Sequence, residues 1–340
     1  MPTFKRVLST IAILVALYLV NAIMSKEGLF GFGLGAYPSD VIMTLTINII
    51  LAVSLNLITG FTGQFSIGHA GFMAIGAYSS AYLVVYHAQF WERALAGTVG
   101  FTLAHALIFI IAIAFGSLIA GFAGLLVGIP SLRLRGDYLA IVTLGFGEII
   151  RVWILNIDAV GGARGYSGIP KLANFFWIYL FAVISVTVVS RTVRSSFGRS
   201  LIAIREDEIA AEAMGVDTTR SKVISFVLSS AMAGIGGGLF GHYLMYVHTN
   251  SFTFIKSIEI IIMIVIGGLG SITGSVVGAV LYIALTEGLR GFAQYRMILF
   301  SLLLIVIMIV RPQGLLGHRE FASFFRRARR VGGPTPGVRT

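Results

Sequence analysis

One carboxylate stands well inside the long apolar runs of this chain: Glu148, with Arg151 three residues on and so one helical turn away. Charged residues at membrane depth are expensive, and where they occur they pair with one another and line ion or substrate paths. His69 and His105 stand alone, without a carboxylate or second His at a ligand or relay spacing. Two glycine-rich interruptions offer a second kind of chemistry. The first, residues 60–72, carries Gly60, Gly63, Gly68 and Gly71 together with Thr62, Gln64, Ser66 and His69; the second, residues 267–274, carries Gly267, Gly268, Gly270, Ser271 and Gly274. Glycine permits backbone conformations closed to other residues, and broken helices persist at membrane depth only where protein or a water-filled cavity satisfies the freed backbone groups. At an offset of 205 residues Gly63, Ser66 and Ile67 align with Gly268, Ser271 and Ile272. Interrupted apolar segments at corresponding places in two halves point to a transporter's substrate site. The candidate path residues are therefore Gly63, Gln64, Ser66, His69, Glu148, Arg151, Gly267, Gly268, Gly270 and Ser271. The competing reading is that these glycines only let helices approach closely. For residues 233–241 that packing reading is preferred, because Gly234/Gly238 and Gly237/Gly241 are spaced four apart without polar company.

Other chemistries are excluded. The chain has no Cys, which removes disulfides, thiolate catalysis and Cys-based metal sites, and its six His show no metal spacing, so no metal is expected. It has no G-x-x-x-x-G-K-[ST] loop to grip ATP phosphates and no H-E-x-x-H motif. The formal charge of +11 sits in short gaps between apolar runs rather than on one basic face, so nucleic acid is not expected as a partner.

The elements that must position these residues are membrane spans. Of 340 residues 57% are hydrophobic and 11% charged, against about 25% charged in soluble domains. With a mean hydropathy of +0.92, a soluble globular protein is ruled out. At about 20 apolar residues per crossing, the spans fall near 7–24, 40–58, 69–87, 98–128, 138–155, 174–190, 223–247, 257–268, 273–288 and 295–310. The first has Lys5 and Arg6 before it but no small-x-small cleavage site after it, so a retained helix is expected rather than a signal peptide. The segment 257–285 could be one long helix or two short ones. As one helix it makes nine crossings and divides Lys and Arg 12 to 12; as two it makes ten and divides them 17 inside to 7 outside, with Arg151 in the membrane either way. Because cytoplasmic loops accumulate Lys and Arg, ten crossings with both termini cytoplasmic is the expectation. The fold class is thus all-α: a polytopic integral membrane protein of about 10 transmembrane helices with two glycine-rich breaks. Residues 1–330 form a single transmembrane domain, and residues 331–340 are expected to be a disordered tail.

The longest inner loop, residues 191–222, contains a good helix former over 200–215, with Gly215 placed to end it in the left-handed conformation. Ile202, Ile209 and Ala213 lie near one stripe, and Arg205, Glu206, Asp207 and Glu208 cluster in the middle. Membrane-surface helices are rich in Lys and Arg, and anionic lipid would repel an acidic cluster. The expectation is one amphipathic helix docking in a groove of a cytoplasmic partner.

Residues 203–216, running from Ala203 through Arg205, Glu206, Asp207, Glu208, Ile209, Glu212 and Gly215 to Val216, resemble the coupling-helix signature of ABC importer permeases in the version typical of LivM-type branched-chain amino acid permeases. Residues 56–76, 132–151 and 266–274 fit the same family in the same order, and the resemblance covers roughly residues 45–315. One departure is Arg164, in an external loop where the family usually has Asn. The resemblance implies a permease subunit, not itself an enzyme, that translocates branched-chain amino acids by alternating access across a bacterial cytoplasmic membrane. It implies a sister permease, two cytoplasmic ATPase subunits holding ATP and magnesium, and an external solute-binding protein, with no cofactor on this chain. The implied ATPase-coupling residues are Arg205, Glu206, Asp207, Glu208, Ile209, Glu212 and Gly215. Urea or a short amide is the alternative cargo. From a different class, an ion-coupled carrier would need more intramembrane carboxylates or His than Glu148, and a channel leaves the charged helix unexplained.

Overall fold

The computed structural model describes residues 36–87, 101–132, 134, 136–292, 295–310 and 314–315. The expected first span near 7–24 and the tail 331–340 lie outside them. Helices α1 (Ala36–Asn56), α2 (His69–Tyr86), α3 (Phe101–Ser131), α4 (Asp137–Leu155) and α5 (Phe175–Arg194) come first. They are followed by α6 (Ser196–Glu206), α7 (Glu208–Ala213), α8 (Thr218–Leu244), α9 (Phe254–Gly267), α10 (Ile272–Gly288) and α11 (Arg296–Val310). Nine of these occupy the expected spans after the first. Among the described residues, six helical stretches are long and apolar enough to cross a membrane: 37–61, 104–131, 137–155, 175–194, 218–244 and 249–267, with α10 shorter but apolar. The protein is an all-helical, polytopic membrane protein. One small departure is a two-residue antiparallel ribbon, β1 (Tyr166–Ser167) with β2 (Tyr246–Val247), Tyr166 facing Val247. It is too short for period-2 alternation to announce it.

Burial sorts the helices. The apolar window of α1 is 67% buried and that of α8 61%, whereas those of α4 and α5 are 22% buried. Ile50, Leu51 and Leu55 of α1 and Phe226, Ala233 and Leu239 of α8 therefore form the centre, and α4 and α5 the rim. The glycines of α8 behave as packing residues. A Cβ on Gly237 would lie 1.9 Å from the Met73 carbonyl oxygen of α2, and one on Gly234 2.6 Å from Ala120 Cβ of α3. Backbone approaches this close let α8 sit between α2 and α3.

The segment 257–285 is not one helix. A Cβ on Gly278 would lie 1.9 Å from the Met263 carbonyl oxygen and one on Gly267 1.8 Å from the Gly274 carbonyl oxygen. Backbone touches at both 263/278 and 267/274 require α9 and α10 to run antiparallel. At 1.5 Å per residue, α9 with its 14 residues is roughly 21 Å long, less than a hydrocarbon core of about 30 Å. The reversal is made by Gly268 at φ +121° and Gly270 at φ +77°, and Ser271 caps α10 by accepting a hydrogen bond from the Gly274 N–H at 3.0 Å. In the first break the aligned residue, Gly63, is also left-handed, at φ +74°.

The expected single helix over 200–215 is divided. Asp207 is extended at φ −156° and ψ 110°, and its carboxylate accepts from the N–H groups of Ile209 and Ala210 at 2.9 and 3.0 Å. A side chain that caps a new helix ends the old one. Gly215 is left-handed as expected, at φ +85°.

Candidate functional site

The two breaks meet, Gly60 of the first abutting Gly270 of the second. Helix α1 ends at Asn56 and passes into a widened turn over Leu57–Phe61, wound with the i to i+5 pattern that recurs at functional sites. Asn56 is fully buried, and its amide binds the second break at three points. Its Oδ1 accepts from the Gly270 N–H at 2.9 Å; its Nδ2 donates to the Ser271 carbonyl oxygen at 2.9 Å and to Ser275 Oγ at 2.8 Å. Gly60 lies against the same place, since a Cβ there would come within 2.3 Å of the Gly270 nitrogen. Of the expected path residues, Gly267, Gly268 and Ser271 are buried at this junction, Gly270 is half-buried and Gly63 is exposed beside it. Ser66 and His69 are buried on the far side of the first break, where His69 Nε2 and Ser54 Oγ are 2.8 Å apart; Gln64 is half-buried. His69 thus serves to join α2 to α1.

Residues 200–215, expected to be the coupling segment, touch the first break directly. Arg205 Nη1 donates to the Gly60 carbonyl oxygen at 3.0 Å, and a Cβ on Gly63 would lie 3.0 Å from Arg205 Cγ. Arg205 also pairs with Glu206 at 2.5 Å. The acidic cluster expected in the middle of one docking helix divides. Glu208 pairs at 2.6 Å with Lys222, whose side chain is 2% exposed, and Asp207 is occupied as a cap. Beside Glu206, which stays exposed, the segment presents apolar side chains outward: Ile209 is 69% exposed and Met214 85%. Glu212 and Gly215 are also exposed.

Glu148 and Arg151 do pair, with Arg151 Nε donating to Glu148 Oε2 at 2.7 Å, and Glu148 Oε1 accepts from the Phe254 N–H at 3.3 Å. Phe254 begins α9 while the second break follows its end, so this pair sits about one helix length, roughly 21 Å, from the junction. The ten expected path residues therefore form two groups. Near the pair, Lys256 Nζ donates to Asn48 Oδ1 at 3.2 Å and to Glu259 Oε2 at 3.1 Å, a polar cluster the sequence analysis did not single out. Glu148 also lines an open groove of about 590 Å³ with Ile149, Val152, Trp153 and Asn156. Asn56 and Lys222 were missed as well. The available signal was polarity itself: an amide within an apolar run, and a Lys at the edge of one, each need a partner.

The profile of the family described as "Branched-chain amino acid transport system / permease component" matches residues 37–311, a stretch that holds both breaks, the coupling segment and the Glu148 pair. The chain belongs to that family. It is 38% identical over 314 residues to the high-affinity branched-chain amino acid transport system permease protein LivM of Salmonella typhimurium, covering 82% of this chain and 69% of the relative. The Escherichia coli protein of the same name is 38% identical over 312 residues, covering 81% and 69%. The permease protein LivH of the same Salmonella typhimurium system is 31% identical over 167 residues, covering 47% of this chain and 53% of that one. No solved structure matches the chain. In the loop expected to be external, Arg164 offers its carbonyl oxygen to the Tyr246 hydroxyl at 3.0 Å, so its backbone is committed to the β-ribbon.

Proposed function

We propose that this chain is the permease subunit of an ATP-driven importer of branched-chain amino acids, crossing a bacterial cytoplasmic membrane ten times with both termini inside. The observation that carries the reading is the seat of the coupling segment: α6 touches the first break through Arg205, and the break touches the second through Asn56. An external force applied to residues 196–215 reaches both interruptions without an intervening flexible loop. The chain has no nucleotide-gripping loop of its own, so ATP and magnesium belong to two cytoplasmic ATPase subunits. The likeness to both LivM and LivH supports a homologous sister permease, and an external solute-binding protein delivers cargo. Purification from native membranes should recover an ATPase with this chain. Its consistent absence under conditions that keep the sister permease bound would contradict the reading.

The sidedness rests on two supports. The charge division of 17 to 7 favours both termini inside. The contacts agree with it: the breaks meet the coupling segment at one end, and the loop after α4 meets the segment after α8 in the β-ribbon at the other. Single cysteines are clean probes in a Cys-free chain. An impermeant thiol reagent on intact cells should label Arg93→Cys and Arg164→Cys and spare Arg330→Cys; external labelling at 330 would require an odd number of crossings.

A further inference from the structure

Asn56 satisfies the Gly270 N–H, which the second break leaves without a helical partner. Its amide also donates to the Ser271 carbonyl, which already accepts the first bond of α10 from the Ser275 N–H at 3.0 Å, and to Ser275 Oγ. Around it the contact between breaks is made by small residues. Gly60 abuts the Gly270 nitrogen, where a Cβ would stand 2.3 Å away, while Leu57 and Phe61 of the widened turn share a buried apolar cluster with Ile272 beside it. The polar part of this contact is held by hydrogen bonds alone. Those bonds are ones water can replace almost evenly. Only four residues beyond Asn56, on the widened turn, the Gly60 carbonyl accepts from Arg205.

We propose that Asn56 is the latch of the inner gate, a positioning residue that holds the two breaks together in the closed state, and that Arg205 is the tether by which movement of α6 releases it. The proposal rests on the reading that an ATPase drives residues 196–215. Arg205 moves the Gly60 peptide, the turn Leu57–Phe61 shifts, and the Asn56 amide leaves Gly270 and Ser271. The breaks then part far enough to admit water and cargo. When α6 returns, the three bonds re-form and close the path.

The test uses the assembled importer in proteoliposomes and reads ATP hydrolysed per substrate molecule moved. Asn56→Ala should raise that ratio about fivefold or more, the low end of ordinary site-to-site couplings, at normal complex yield. Arg205→Ala should raise it by another cause in the same path, so the double variant should be no worse than Asn56→Ala alone. Ser275→Ala, which removes one of the three bonds, should raise it less. An unchanged ratio in Asn56→Ala, with hydrolysis and uptake falling together, would overturn the latch, as would additive effects in the double variant. Should Asn56→Ala fail to assemble, Ser275→Ala and Arg205→Ala decide, and an unchanged ratio in both overturns it. Failure of the underlying reading would show separately, as a wild-type complex whose uptake ignores ATP.

Discussion

Glu208→Lys should be among the most damaging single substitutions in the coupling segment. Its carboxylate lies 2.6 Å from Lys222 Nζ, whose side chain is 2% exposed at the start of α8. Reversing the charge places two ammonium groups together with one buried, and breaking a buried pair costs about 3–5 kcal/mol. The membrane spans are untouched, so insertion should continue while α7 leaves α8, proteolysis within residues 207–217 increases, and the ATPase no longer co-purifies. The exchange Glu208→Lys with Lys222→Glu should recover much of the loss. Glu206→Lys should do far less. Glu206 is 68% exposed in its pair with Arg205, and exposed pairs contribute roughly 0–1 kcal/mol. A Glu208→Lys variant with wild-type protease resistance and uptake, or an exchange no better than the single change, would refute this division between the two acids.

The second large effect separates packing glycines from path glycines. Gly267→Ala should lower the amount of folded protein, because its Cβ would lie 1.8 Å from the Gly274 carbonyl oxygen and force α9 from α10. Overpacking of this kind costs about 1–3 kcal/mol, and rigid backbone on both sides puts this site at the upper end. Gly63→Ala should behave differently. It is exposed at φ +74°, where a side chain costs roughly 1–2 kcal/mol, and its Cβ would press on Arg205 Cγ at 3.0 Å. Normal membrane level with reduced uptake is the expected result, read by quantitative immunoblot and transport together. The reverse pattern, Gly63→Ala lost from the membrane and Gly267→Ala transporting normally, would mean the roles are exchanged.

What could be seen in the sequence was what depends on composition along the chain. Apolar runs placed nine described helices within a few residues, and the Lys and Arg count chose a turn at 267–274 that the antiparallel α9 and α10 bear out. What could not be seen depends on contacts between distant residues. Asn56 reads as one amide in an apolar run until the chain folds and Ser275 arrives beside it. Lys222 reads as the edge of a span until α7 turns back and Glu208 meets it. The division of residues 200–215 was legible in principle, since Asp is a strong N-cap. It was hidden because Ala, Ile and Glu on both sides favour helix and summed propensity outweighs one residue. Glu148 and Arg151 were paired correctly from spacing alone, yet spacing along one helix says nothing of their separation from the glycine breaks.

The central claim is that ATP, supplied through partner subunits, drives branched-chain amino acids through this chain. The direct measurement is uptake of radiolabelled leucine into proteoliposomes holding the co-purified complex. The binding protein is added outside and ATP enclosed within, and ionophores collapse every ion gradient. The account expects leucine to accumulate only when ATP is present and to continue when the gradients are gone. Accumulation that needs an ion gradient and ignores ATP would contradict it, and so would ATP-dependent uptake of urea or a short amide with leucine excluded.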